Sequence, residues 1–496
     1  MKNPVLILSL FLTLFISCQK NNKENSQGDL EFQEPFRPQF HFSPAANWMN
    51  DPNGMVYWDG EYHLFYQYYP DSTVWGPMHW GHAVSEDLVH WEHLPIALFP
   101  DTNGWIFSGS AVIDHQNTSG LGTTENPAMI AIFTYHDHIG EKAERDDFQT
   151  QGIAYSTDRG RTWTMYEGNP VLKNPGIKDF RDPKVFWSDD AQKWIMSLAV
   201  KDKISFYSSS NLLDWTFESD FNPEWAAYGG VWECPDLFPL QTKDGQEKWV
   251  LFVSINPGGP QGGSATQYFI GDFDGKSFTT SSTEVKWLDW GADNYAGVTW
   301  SNVPEKDGRK LFIGWMSNWQ YAQVVPTKTW RSAMTVPRQL DLVEVNGELG
   351  IASKPIAELE KLRNESIKIK NSQVKLQEEL IELELDVDSE NFRIEFLNDK
   401  DERLILEQRD GFIVLDRGLS GLTDFEASFA NTQTAPLNGI KTEKIHLYLD
   451  RSSIEIFIND GQLVMTSLIF PTDAYNRIEL QGFSSNNRLH YLKSIW

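Results

Sequence analysis

Apolar positions along the C-terminal part of the chain recur with a period of two. Leu383 and Leu385 alternate with Glu382 and Glu384, and Ile454, Ile456 and Ile458 share one face of their segment. That period is the one a strand imposes on its side chains. Turn signals at Asp410-Gly411 and Asn459-Asp460-Gly461 separate the runs, so residues 365–496 predict an antiparallel β-sandwich. Upstream the strand-like runs are arranged in repeats. Ser85-Glu86-Asp87…Trp91, Ser156-Thr157-Asp158…Trp163 and Ser210-Asn211…Asp214-Trp215 each place a tryptophan after a polar turn. Each closes a group of about four strand-like segments. The third group is the most regular, with Pro183–Trp187, Lys193–Val200, Ile204–Ser208 and Trp215–Glu218.

Polar positions near the start of successive groups are Asp51, Ser108, Asp182, Glu233 and Asp293, on average about 60 residues apart. About 300 residues at that spacing predict five units of four strands, a five-bladed β-propeller whose inner strands aim side chains at a central channel. The fold class is therefore all-β, a propeller followed by a sandwich. Tryptophan marks the boundary: 19 of the 20 lie between Trp48 and Trp330, so the change of domain falls soon afterwards. Residues 37–345 are assigned to the propeller and 346–364 to a linker. The linker holds a short amphipathic helix over Pro355–Arg363.

The first residues read as an address. Lys2 precedes an apolar run from Val5 to Ile16 that is too short for a permanent membrane span and suited to an export signal. It ends at Ser17-Cys18 before a polar stretch. This resembles a bacterial lipoprotein signal, which implies removal of residues 1–17, lipid on Cys18 and a place in the cell envelope. An ordinary secretory signal with an incidental Cys18 is the alternative. Residues 18–36 then read as a flexible tether.

Composition narrows the partners. Lys+Arg 42 against Asp+Glu 69 gives a formal net charge of −27, which opposes binding to nucleic acid or docking on anionic lipid through a basic patch. Membrane contact is expected only through the N-terminal anchor. The aromatic load suits a neutral ligand.

Three acids carry the chemistry. Trp48-Met49-Asn50-Asp51-Pro52-Asn53-Gly54 holds Asp51 between residues that restrict the backbone, Phe180-Arg181-Asp182-Pro183 is built alike, and Trp232-Glu233-Cys234-Pro235-Asp236 opens the next unit. Any one of these acids could belong to a simple turn. Three of them facing one channel point to glycosidic bond cleavage, which needs one ionised carboxylate and one proton donor. Asp51 beside Asn50 and Asn53 suits the ionised role. Glu233 between Trp232 and Cys234 suits a raised pKa, and Arg181 is expected to keep Asp182 charged.

These motifs resemble the signature set of glycoside hydrolase family 32, the invertases, inulinases and levanases, and the likeness extends to Asp450-Arg451-Ser452-Ser453-Ile454-Glu455-Ile456-Phe457. The resemblance implies a propeller with a C-terminal sandwich. It also implies Asp51 as nucleophile, Glu233 as general acid/base and Asp182 as transition-state stabiliser in a configuration-retaining mechanism. Asn50, Gln67, Trp75, Ser108, Arg181 and Trp319 resemble substrate-binding positions, Trp319 that of exo-acting fructanases. The expected substrate is a fructan or sucrose, with no cofactor and no metal. A sucrose-preferring invertase, a fructosyl transferase and a non-catalytic fructan-binding surface protein are the competing readings. His79, His82, His90 and His93 lie in strand and turn context that does not gather them for zinc. Cys234 reads as a packed thiol and Asp236 as a strand-start side chain. The glycine-rich segment 258–263 reads as a loop, since no Lys-Ser/Thr follows it.

Overall fold

The computed structural model describes residues 32–496; the expected signal, Cys18 and most of the expected tether lie outside them. Five four-stranded antiparallel units follow one another. Blade I is Asn47–Trp58, Glu61–Tyr69, His79–Ser85 and Glu92–Leu98, and blade II is Trp105–Ile113, Met129–His136, Gln149–Ser156 and Thr164–Met165. Blade III is Phe180–Ser188, Lys193–Val200, Lys203–Ser209 and Thr216–Phe221. Blade IV is Val231–Gln241, Glu247–Asn256, Ala265–Phe273 and Phe278–Thr279, and blade V is Tyr295–Thr299, Lys310–Met316, Arg338–Val345 and Glu348–Pro355. The first strand of each blade packs on the first strands of its two neighbours, blade V returning to blade I, so the ring is closed. Trp330–Arg331 adds to Asn47–Trp48 in parallel and clasps the closure.

The repeated tryptophan is a turn device. Trp91, Trp163 and Trp215 each donate the indole N–H to the carbonyl three residues back, on Leu88, Gly160 and Leu212. The preceding serine hydroxyl accepts from the backbone two residues on, at Asp87, Asp158 and Asn211. In blade III that serine is Ser209, one residue earlier than the sequence pattern suggested, because Asn211 takes the place of the aspartate.

Two boundaries differ from the sequence reading. Glu348–Pro355, assigned to the linker, pairs in full register with Arg338–Val345 across Asn346-Gly347 and is the outer strand of blade V. Both turn residues have positive φ, the geometry a two-residue hairpin needs. The connector helix shrinks to a 3₁₀ turn over Ala357–Leu362, anchored by buried Leu359 and Leu362. At the other end, the last tether residues are packed rather than free: Phe32 stacks on Trp496 and Phe36 lies edge-on to Phe470.

The sandwich has two six-stranded sheets. Its core holds Leu383, Leu385, Ile454, Ile456 and Ile458, as the alternation predicts. Strand Ser453–Ile458 is buried on both faces, because its outer face meets the propeller. There a chain of buried charges joins the domains. His41 contacts Asp450 at 2.8 Å and Glu455 at 2.9 Å, Glu455 pairs with Arg338, and Arg338 reaches Asp289 at 3.0 Å.

Burial alone would lower the pKa of His41, but hydrogen bonds and negative charge from Asp450 and Glu455 outweigh it and raise the value to about 9. A folded-state pKa above the ordinary 6.5 means that this stabilisation is complete below about pH 6.5 and is lost as pH rises through about 9. It is on the order of 3 kcal/mol. We expect the thermal midpoint to fall across that window and His41→Leu to flatten the fall, measured by scanning calorimetry from pH 6 to 10. An equal slope in both proteins would refute the assignment.

Candidate active site

Each of the five inner strands carries one extra residue at the same height. The pairing skips Asn50-Asp51 opposite Gln67, Phe107-Ser108 opposite Thr134, Asp182-Pro183 opposite Leu198, Cys234-Pro235 opposite Val253, and Ala296-Gly297 opposite Gly314. A bulge kinks the strand and re-aims its side chains. Asp182, Cys234 and Ala296 adopt φ of 63°, 46° and 52°, a left-handed backbone that costs about 1–3 kcal/mol per non-glycine residue and persists only where the surroundings enforce it.

The register corrects the simple repeat. Asp182 and Glu233 are not equivalent positions. Cys234 is the blade IV counterpart of Asp182, while Glu233 matches Arg181 in blade III and Tyr295 in blade V. Asp293, counted as the fifth inward position, points elsewhere: its carboxylate accepts from Arg417 Nη1 at 2.8 Å, the Leu468 amide at 2.9 Å and the Tyr321 hydroxyl at 2.7 Å. It is part of the domain junction. Asp236 sits inside its strand, fully buried, 3.2 Å from Lys184 and accepting from the Thr299 amide at 2.6 Å.

Around the bulges the three acids converge. Asp51 Oδ2 accepts from the Ser108 hydroxyl at 2.7 Å, and Oδ1 accepts from the Asn50 amide at 3.0 Å. Asn50 is held in turn by the Trp48 indole N–H at 2.7 Å. Cys234 lies between two acids, with Sγ 3.6 Å from Asp51 and 3.7 Å from Asp182, and its backbone N–H donates to Asp182 at 3.1 Å.

Arg181 does not chiefly hold Asp182, as the sequence suggested. Its Nε and Nη2 donate to Glu233 Oε1 at 3.1 and 2.9 Å, and Nη1 donates to Asp179 at 2.7 Å, while Asp182 stays 4.0 Å away. The Glu233 carboxyl is therefore in a polar setting, not an apolar one, and Tyr295 donates its hydroxyl to Oε2. Tyr295 and Asp179 were missed in the sequence. The available signal for Tyr295 was its place before Ala-Gly, matching Glu233 before Cys-Pro.

Of the remaining candidates, Gln67 is buried opposite the first bulge, its amide donating to the Ile106 carbonyl at 3.1 Å. Trp75 packs edge-on against Trp105 and Phe107, and Trp319 stacks on Trp48 with ring centres 5.8 Å apart. The glycine-rich loop positions Trp319: Ser264 Oγ accepts from its backbone N–H at 3.0 Å. A Cβ on Gly263 would come within 2.2 Å of Asn318 Oδ1, so the close approach of loop and turn requires glycine there.

Like charge sets the electrostatics. Burial, then the negative charge of Glu233, raises the pKa of Asp51. Burial raises Asp182 to about 7 despite the opposing pull of Arg181, with Glu233 and Asp51 adding to the rise. Burial and the neighbouring carboxylates push the Cys234 thiol well up, so it stays protonated and is no nucleophile. A raised folded-state pKa in Asp182 means that its native environment is tolerated fully below the ordinary 3.8 and becomes a cost as pH rises through about 7. Asp182→Asn is therefore expected to melt above the parent protein at pH 8, with the gap closing towards pH 4. A constant gap would exclude titration of Asp182 as its origin.

Among the described residues, one group has metal-ligand spacing. Glu382, Glu384 and His446 lie together on the sandwich, where Arg363 already bridges the two carboxylates at 2.6 and 2.9 Å. That guanidinium supplies the positive charge a metal would bring. His63 and His82 face each other at 3.0 Å within blade I, whereas His79 packs on Phe99 and His93 on Trp496.

A strained ring of bulges that brings three carboxyls and one guanidinium to the mouth of a five-bladed propeller defines a glycosidase of the two-carboxylate kind. Comparison with known proteins specifies the class. Residues 41–354 match the glycosyl hydrolases family 32 N-terminal domain and residues 357–495 the family 32 C-terminal domain; the chain belongs to that family. A levanase of Bacillus subtilis is 44% identical over 99% of this chain and 75% of its own length. An extracellular exo-inulinase of Aspergillus niger is 38% identical over 94% of this chain and 96% of its own. The crystal structure of an exo-inulinase from Aspergillus awamori superposes with a TM-score of 0.86 at 36% identity, covering 94% of this chain and 100% of that one.

Proposed function

We propose that the protein releases terminal β-D-fructofuranosyl units from fructans and sucrose with retention of configuration. The observation that carries the reading is the meeting of Asp51, Asp182 and Glu233 around Cys234 and Arg181. Asp51, aligned by Ser108 and Asn50, attacks the anomeric carbon as Glu233 protonates the departing oxygen, forming a fructosyl-enzyme. Glu233 then takes a proton from the water that hydrolyses that ester. Arg181 and Tyr295 hold the Glu233 carboxylate after it has given up its proton. Asp182 accepts hydroxyls of the bound sugar and stabilises the cationic transition state. Gln67, Trp75 and Trp319 shape the pocket, Gln67 through a side-chain carbonyl left free for the sugar.

The similarity to levanase and exo-inulinases supports the substrate class, and Trp319 supports attack at a chain end. Chromatography of products from inulin, levan and sucrose tests this. Fructose alone is the expected product of the polymers, and a ladder of oligosaccharides would reject end-wise action. The extracellular relatives also support export, which we extend to a lipid-anchored envelope protein attached through Cys18. Cys18→Ala is expected to release activity from the membrane fraction into the soluble one; unchanged partition would refute the anchor.

A further inference from the structure

Blade II carries a wall of aromatic residues that the reaction just described does not use, packed against the pocket residue Trp75. Trp105 heads its inner strand, three residues before Ser108, and so lies within about 10 Å of it along the strand at a rise of about 3.3 Å per residue. His138 stacks on it, with ring centres 4.8 Å apart and planes 14° from parallel. Beneath them His136 stacks on Phe107 at 4.2 Å, and Trp75 closes the wall with its ring 5.6 Å from Trp105.

The platform is held in place. His138 opens the short helix His138–Lys142 in the loop between the second and third strands of blade II, and the Asp137 carboxylate accepts from the Ile139 and Gly140 amides. Arg145 pins Asp137 at 3.2 Å, and His136 is tied to Glu141 at 3.2 Å and to Gln149 at 3.3 Å. The buried Nδ1 of His138 has no hydrogen-bond partner, and the neighbouring Ile139 is 67% exposed. A half-buried aromatic pair matches the apolar C–H face of a sugar.

We propose that Trp105 and His138 form the subsite for the sugar on the leaving side of the scissile bond, and so determine the preference for glycan substrates over simple fructosides. The inference rests on the catalytic reading above and adds the residues that recognise the leaving group. Its geometry follows from the wall: Ser108 holds the nucleophile at the wall's inner end, so the sugar under attack sits there. The next unit then meets Trp105 and His138.

β-D-Fructofuranosyl fluoride, which has no leaving-side sugar, separates the two claims. For His138→Ala and for Trp105→Ala we expect the ratio of kcat/KM on inulin to kcat/KM on the fluoride to fall at least 10-fold, mostly through KM on inulin. The proposal is overturned if either variant loses activity equally on both substrates, as a purely structural role would give, or if the ratio is unchanged. A parent enzyme that hydrolyses neither the fluoride nor inulin would instead reject the catalytic reading itself.

Discussion

Asp51→Ala should lower kcat on sucrose or inulin by about 10⁴-fold or more, since removing a covalent nucleophile leaves only binding and transition-state contacts. The loss should come without loss of fold. Asp51 is a half-buried acid whose charge is disfavoured by lost solvation and by Glu233, so its removal relieves repulsion within the cluster. The variant is expected to melt at or above the parent temperature, because an active site assembled from like charges costs stability. Initial rates and calorimetry on the same preparation check both parts. Turnover within 100-fold of the parent would remove Asp51 from the nucleophile's role, whatever the stability result.

Glu233→Gln is expected to show a loss that depends on the leaving group. With sucrose or inulin the departing oxygen needs a proton, and general acid assistance is worth about 10²–10⁴-fold. Fluoride departs without one, so formation of the fructosyl-enzyme from fructosyl fluoride should be nearly unimpaired. Hydrolysis of that intermediate then becomes slow, because the base that deprotonates water is gone. A burst of one fluoride per active site followed by slow turnover is the expected trace in stopped-flow measurement. The mutation is close to isosteric: the amide oxygen can accept from Arg181 as the native Oε1 does, while the NH2 group replaces Oε2 and can donate to the Tyr295 hydroxyl oxygen. A misplaced side chain is thus a poor alternative explanation. Equal losses on fluoride and sugar substrates, with no burst, would reject the acid/base assignment.

Much of the fold could be read along the chain because it is built from local patterns. The serine turn closed by tryptophan recurs because blades I to III turn back between the same two strands, and its hydrogen bonds span only two or three residues. The sandwich alternation is legible for the same reason. Some of the misreadings had a partner far away in sequence as their cause. The alternation alone does not place Glu455, which is buried because Arg338 and His41 meet it from the propeller side. Asp293 has the right spacing for the channel, but Arg417, contributed by the sandwich, pulls it into the domain junction.

The motifs also located the chemistry without arranging it. Asp51, Asp182 and Glu233 were identifiable because proline and glycine beside them restrict the backbone locally. The ring of five bulges was not, since a bulge exists only relative to the strand it pairs with. That ring decides that Arg181 turns to Glu233, that Cys234 lies against Asp51 and Asp182, and that Tyr295 reaches the acid. By itself, then, the amino-acid order determined the all-β class, the repeat and the three candidate acids, all consequences of short-range backbone preference and period. Only the closed tertiary ring decided which charge faces which, because Coulomb and hydrogen-bond partners here are set by distance in space between segments tens to hundreds of residues apart.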